Sequence, residues 1–202
     1  MANLNAAAGL SPDQYLNGSP WNGQARRYYI PSTDVNAYAI GDPVDLVGGA
    51  DATAACPTVT LATAGTGNPL VGVIVSAGGL QVGGPSADPS NLNTTVIPAT
   101  KTKNYFVMVA DDPNILFSIQ EGGAGAALTA ANAVGKNFNL VAGANSGYLS
   151  GWQLDNASTA VTNTLQVKVL GLVPDPSNSL GKYAKWLVKI NNHRYAAGTT
   201  SL

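Results

Sequence analysis

One cysteine, one histidine and one glutamate in 202 residues leave little for catalysis to draw on. The single thiol, Cys56, excludes an intramolecular disulfide, and it lies beside Pro57 in a loop-like stretch with no His or Cys at ligand spacing. The single imidazole, His193, leaves little room for a zinc site or a nucleophile–His–Asp triad, both of which draw on histidine. No G-x-S-x-G elbow and no GKS or GKT phosphate loop occurs. Only 10% of residues are charged, against roughly a quarter in an ordinary soluble domain. A formal net charge of -1, with no basic spot denser than Arg26-Arg27, argues against nucleic acid as a partner. No run of about 18 apolar residues is present, which argues against a membrane-spanning helix. The N-terminus, MANLNAAAGLSPDQ, has neither the basic nor the apolar region of a secretory signal. A soluble protein made in a cytoplasm is expected, with no cofactor, no bound metal and no membrane.

What is abundant is glycine (23) and proline (12), with much of the rest Ala, Thr, Asn and Ser. Such a composition builds many turns and few long surface helices. Short runs with period-two patterning recur about every dozen residues: RRYYIP, VNAYAI and PVDLV broken at Gly41-Asp42-Pro43, CPTVTLATAG, NPLVGVIVSAGG, YFVMVA and NILFSIQE. FNLVAG, GYLSGWQLD, TLQVKVLGLV and KYAKWLVKINNHRY follow. Val71, Val73 and Val75 are placed on one face, as are Ile115, Phe117 and Ile119, and Trp186, Val188 and Ile190. One short helix is expected around Leu128–Val134, stopped by Gly135. Nine or ten strands with this spacing predict an all-β fold, an antiparallel β-barrel or jelly-roll-like sandwich. Residues 1–25 carry no sustained period and read as an extended N-terminal arm, with Trp21 as an aromatic anchor on its own domain or on a partner. The β-rich domain spans 26–195, residues 196–202 form a tail, and Gln81–Lys103 is a long Gly/Pro/Ser/Asn-rich excursion.

Three stretches could hide chemistry. In YFVMVADDPNILFSIQE, the pair Asp111-Asp112 precedes Pro113 and Asn114, which is turn chemistry, so the aspartates are expected to make a β-hairpin rather than a catalytic or metal-binding pair. A calcium loop would need oxygen ligands at alternating positions, and DDPNILFS turns apolar too early. Gly123-Ala124-Gly125 has Leu128 where a dinucleotide fingerprint has its third glycine, and Asn145 twenty residues on where an acid belongs. Glu121 opens a Gly-Gly turn, where solvation or a backbone hydrogen bond accounts for it better than glycoside hydrolysis. No catalytic residue is assigned, and the protein is read as non-enzymatic.

The blocks YFVMVADDPNILFSIQE and LQVKVLGLVPDPSNSLGKYAKWLVKINNHRY, with the shorter RRYYIPSTDVNAYAIGDPV, NPLVGVIV and VGKNFNLVAG, resemble capsid decoration (cement) proteins of tailed bacteriophages. The resemblance covers roughly Arg26 to Tyr195 and carries turns and strands, not catalytic motifs. It implies a virion protein on the outer surface of an icosahedral head, synthesised in the bacterial host cytoplasm. Such a protein would assemble with itself as a dimer or trimer and bridge neighbouring subunits of the phage major capsid protein. The expected contact residues are Trp21, Arg26, Arg27, His193, Arg194 and Tyr195, with the Gln81–Lys103 excursion and the segment from Asn191. Deleting residues 1–25 is expected to leave a folded domain that attaches weakly. A receptor- or glycan-binding module of a phage fibre or spike is the alternative, since it too uses β-sandwiches and exposed aromatics.

Overall fold

The computed structural model describes residues 3–52, 55–77 and 96–196. Its strands are β1 (Ser11–Tyr15), β2 (Arg26–Ile30), β3 (Tyr38–Ala39), β4 (Pro43–Ala50) and β5 (Pro57–Leu61). They continue with β6 (Gly72–Ala77), β7 (Val96–Ile97), β8 (Tyr105–Ala110), β9 (Ile115–Gly122) and β10 (Asn137–Phe138). The last are β11 (Leu140–Val141), β12 (Gln153–Asp155), β13 (Val167–Leu172) and β14 (Lys185–Ile190). One short helix, α1 (Ala130–Ala133), falls inside the expected 128–134 window. It starts at a reciprocal Thr129–Asn132 capping box, and Gly135 follows it at φ 79.

The fold is all-β, and it has two lobes. Strands β2, β5, β4, β6 and β8 close into a barrel, antiparallel except where β2 meets β5. The second lobe is a sheet in the order β10-β13-β14-β9-β12-β11, with β1 added to β9 and with β12 parallel to β9. The barrel encloses a core of Tyr28, Ile30, Val59, Ile74, Val107 and Val109, among others. A larger core holds Phe117, Phe138, Trp186 and Val188 of the sheet and Trp152 beside it, together with Val73 and Ala110 from the barrel and Leu70 just before β6. Neighbouring residues of β6 therefore serve different cores, Val73 one and Ile74 the other, as the pleat dictates. Val71 does not share the face of Val73 and Val75. It precedes the strand, which starts at Gly72, and it joins the barrel core. At Gly72 the backbone of β8 comes so close that a Cβ would collide with the Ala110 carbonyl.

Two expectations change at this level. The turn after β8 is real: the Asp112 carboxylate accepts from the Asn114 N–H at 2.8 Å, and the Ile115 N–H donates to the Asp112 carbonyl at 3.1 Å. It does not close a hairpin. β8 pairs with β2 and β6 in the barrel, whereas β9 pairs with β1, β12 and β14, so the turn hands the chain from one lobe to the other. Turn chemistry fixes a change of direction, not which strand lies alongside.

Residues 3–10 carry no regular secondary structure, but they lie on the body instead of standing free as an arm. Leu10 is buried in the larger core, and residues 11–15 add a strand to β9 opposite Ile115–Ser118. A register shift between Pro12 and Gln14 breaks the alternation that would have announced this strand in the sequence. Most of the Gln81–Lys103 excursion, and the tail beyond 196, lie outside the described residues. At its end, the Lys101 ammonium is buried and donates to the carbonyls of Asp34 (2.7 Å) and Asn36 (2.6 Å) and to the Asp34 carboxylate (3.1 Å).

Candidate functional site

A cluster of polar groups lies where the barrel meets the sheet. Residues Arg26 and Tyr28 are two apart on β2, so their side chains share a face. The end of β8 brings Asp111 to that face, and the segment after β14 brings His193 and Tyr195. The buried Tyr28 hydroxyl donates to the Asp111 carboxylate at 2.6 Å and lies 3.0 Å from the Tyr195 hydroxyl. Arg26, on the solvent side, approaches the same carboxylate at 3.5 Å and lies over the Tyr195 ring, 5.8 Å from its centre. With its side chain 71% exposed, that ion pair contributes little on its own. Burial pushes the Asp111 carboxyl above the ordinary carboxylate range, against the pull of the Tyr28 hydrogen bond and the Arg26 charge. Burial, with the Asp111 hydrogen bond, pushes Tyr28 far up, so it stays a neutral donor.

His193 is 1% exposed, and its Nδ1 accepts from the Tyr195 backbone N–H at 3.0 Å. That contact assigns the proton of the neutral ring to Nε2, which has no hydrogen-bond partner. Burial pushes the imidazole down to about 4, with the Asp112 charge opposing and Lys189 reinforcing. A general base needs a proton donor within reach. Among the described residues no hydroxyl or thiol is hydrogen-bonded to this ring. A cleft of about 300 Å³ opens beside the cluster, lined by Tyr15, Gln24, Ala25, Arg26, Asp111 and Asp112.

Of the six residues expected to make contacts, Arg26, His193 and Tyr195 come together here. The other three are placed elsewhere. Trp21 packs half-buried against the larger core, and its indole N–H donates to the Gln24 carbonyl at 3.3 Å. Arg27 lies over Phe106 at 5.2 Å, and its carbonyl accepts from the Cys56 thiol at 2.9 Å. Burial pushes that thiol up, which keeps it protonated and unreactive. Arg194 grips Asp45 of β4 in a two-point pair, both contacts at 2.7 Å, and so ties the C-terminal segment to the barrel.

Glu121 is fully buried, and its carboxylate accepts from the Trp186 indole at 2.9 Å and from the Leu128 N–H at 3.3 Å. Burial pushes it up. Asp42 is buried in the same way and accepts from the Ala39 N–H at 2.7 Å. Sequence reasoning missed the Tyr28–Asp111 pair. Its one legible trace is the alternation Arg26, Tyr28, Ile30, which sets a tyrosine on the inward face of a strand.

Among the described residues no group of three or more His, Cys, Asp or Glu side chains could hold a metal ion, and no helix is long and apolar enough to cross a membrane. The chain matches no protein-family model, no curated protein and no solved structure.

Proposed function

We propose that this protein is a non-enzymatic virion component that binds the outer surface of an icosahedral phage capsid, as a dimer or trimer, and bridges neighbouring major-capsid subunits of the expanded head. The observation that carries this reading is how few charges the chain has, 10% of its residues. Asp42, Asp111 and Glu121 are buried, and each accepts hydrogen bonds that fix a corner of the chain. The outward face spreads the remaining charges among small and neutral polar groups, with Leu4, Val35, Val161 and Leu180 exposed. A surface with so little charge repels a neighbouring subunit weakly, and many weak contacts repeated around a shell add as avidity. Binding that exists only on the assembled shell stabilises the shell by mass action.

A receptor- or glycan-binding module is the second reading. It is favoured by Tyr148, 55% exposed, next to a depression of about 490 Å³ lined by Asn5, Ser146, Gln153 and other small or polar groups. Quantitative mass spectrometry of purified virions separates the two. A copy number comparable to that of the major capsid protein is the expected result. A handful of copies supports the module, and complete absence from virions overturns both.

A further inference from the structure

Residues 3–21 are attached to the rest of the chain by one short connection. Asn22, Gly23 and Gln24 are exposed, and their hydrogen bonds are local: Asn22 Oδ1 accepts from the Gln24 N–H at 3.2 Å and from the Tyr15 hydroxyl at 3.0 Å, and Gln24 O accepts from Trp21. Gly23 sits at φ 83, a conformation a glycine leaves or enters freely. Across this connection the chain changes lobe, from β1 in the sheet to β2 in the barrel.

The body receives residues 3–21 as it would receive a peptide ligand. Leu10 fills a place in the larger core, and its N–H donates to Gly41 O at 3.0 Å. Gly9 lies so close to Gly41 and Ser150 that a Cβ would collide with both. The stretch before it is fastened by side-chain amides in place of a ladder. Gln120 Oε1 accepts from the Ala6 N–H at 3.0 Å, and Gln120 Nε2 donates to Leu4 O at 2.8 Å. Asn3 Nδ2 donates to Ser179 O at 2.8 Å, and Gln153 Nε2 donates to Asn5 Oδ1 at 3.1 Å. β1 then supplies the ladder on Ile115–Ser118.

We propose that residues 3–21 are exchanged between two copies of this chain, the β1 of each adding to the β9 of the other. Each docking contact is kept in the exchanged form, because the receiving surface is the same in both copies; only the connection 22–25 changes course. Exchange of an identical element is a low-cost route to a dimer for that reason. The receiving surface is specific to this peptide: a glycine is required at one position, a leucine anchors the next, the Gln120 amide reads the backbone of Leu4 and Ala6, and the Gln153 amide meets the Asn5 side chain. The inference concerns the free protein and stands apart from the capsid reading.

The test is a disulfide trap in the full-length chain with Cys56→Ser, adding Ser11→Cys and Ser118→Cys, which are Cα partners across β1 and β9. Both positions lie outside the core, so the fold tolerates the change. After mild oxidation and non-reducing electrophoresis, most of the double variant is expected to run as a covalent dimer that reduction returns to monomer, while either single variant runs as monomer. A double variant that runs as monomer with its thiols consumed places β1 on its own β9 and overturns the proposal. Thiols that stay free also overturn it, since β1 is then on neither β9. Dimers from either single variant make the cross-link collisional and count against it equally.

Discussion

The barrel and the sheet solve the same problem in opposite ways. A strand's unpaired edge must be covered, and the barrel covers it by closing on itself with β2, β5, β4, β6 and β8. The sheet has no such closure. Its longest strand, β9, takes β14 along one edge and needs both β1 and β12 along the other, so it is completed by strands far apart in the chain. The cores differ accordingly. The barrel interior is lined by Val, Ile and two buried tyrosines, whereas the sheet depends on Trp152, Trp186, Phe117 and Phe138. A lobe assembled from distant segments around large aromatics has more to lose from a single truncation than a closed ring of β-branched residues. The sheet is also the lobe that can accept a strand from elsewhere.

Trp186→Ala tests that asymmetry most severely. It empties a fully buried site and strips the indole donor from the buried Glu121 carboxylate. Truncation of a core aromatic costs about 3–5 kcal/mol, and the loss of one of the buried carboxyl's donors adds to that. Urea denaturation should therefore show a large loss of stability. Hydrogen exchange should locate it, with amides of β9, β13 and β14 losing protection before those of β6 and β8. Equal loss in both lobes would make the molecule one cooperative unit and remove the distinction drawn above, a result that Val73 and Ala110 would explain, since both belong to the larger core.

His193 gives a smaller effect at the seam between the lobes. The folded imidazole is held near 4 against an ordinary value of 6.5, so between those pH values the unfolded chain binds more protons than the folded one. The stability that this group contributes is complete above pH 6.5 and is lost as pH falls towards 4, by up to about 3 kcal/mol. The raised carboxyls of Asp42, Asp111 and Glu121 act with the opposite sign, favouring the folded state as pH falls, so the total slope mixes both. Comparison with His193→Asn separates them. Asn keeps an acceptor for the Tyr195 N–H, the carboxyl contributions are common to both proteins, and the difference in slope belongs to the imidazole. Parallel stability curves between pH 4 and 6.5 would show that His193 does not hold the seam.

The alternation in the sequence marks most of the inward faces correctly. Ile115, Phe117 and Ile119 are buried together, as are Trp186, Val188 and Ile190. The break at Gly41-Asp42-Pro43 and the helix stop at Gly135 are local steric facts, and they appear where glycine and proline place them. Pairing is not local. Nothing in ADDPN distinguishes a hairpin from a passage between lobes, because both begin with the same Asx turn. β1 was unreadable because SPDQY is an edge strand with a register shift, and its neighbour lies about a hundred residues away in the chain. The junction cluster was half readable. Arg26, His193 and Tyr195 stand out as charged or aromatic groups near the ends of the domain, while their buried centre, Tyr28 with Asp111, is a long-range contact that no spacing announces.

The smallest expected effect falls on the barrel side of that cluster. Tyr28→Phe preserves the ring that fills the barrel core and removes only the hydroxyl, which donates to Asp111 and meets Tyr195. Asp111 is left buried with the exposed Arg26 as its cationic neighbour. Loss of the donor from a buried carboxylate costs about 1–3 kcal/mol, and the lower end applies because the group can relax by keeping a proton. The folded carboxyl should then rise further, its hydrogen bond having held it down. A raised carboxyl binds its proton more readily when folded, so the variant's deficit should shrink as pH falls through the raised range of the folded Asp111 carboxyl, above the ordinary carboxylate range, and be largest above it. Chemical denaturation of Tyr28→Phe and the parent at pH 4 and pH 7 measures this. A deficit independent of pH would assign the hydroxyl's contribution to Tyr195 in place of Asp111, and the turn between the lobes would then be held by Asp112 and Pro113 alone.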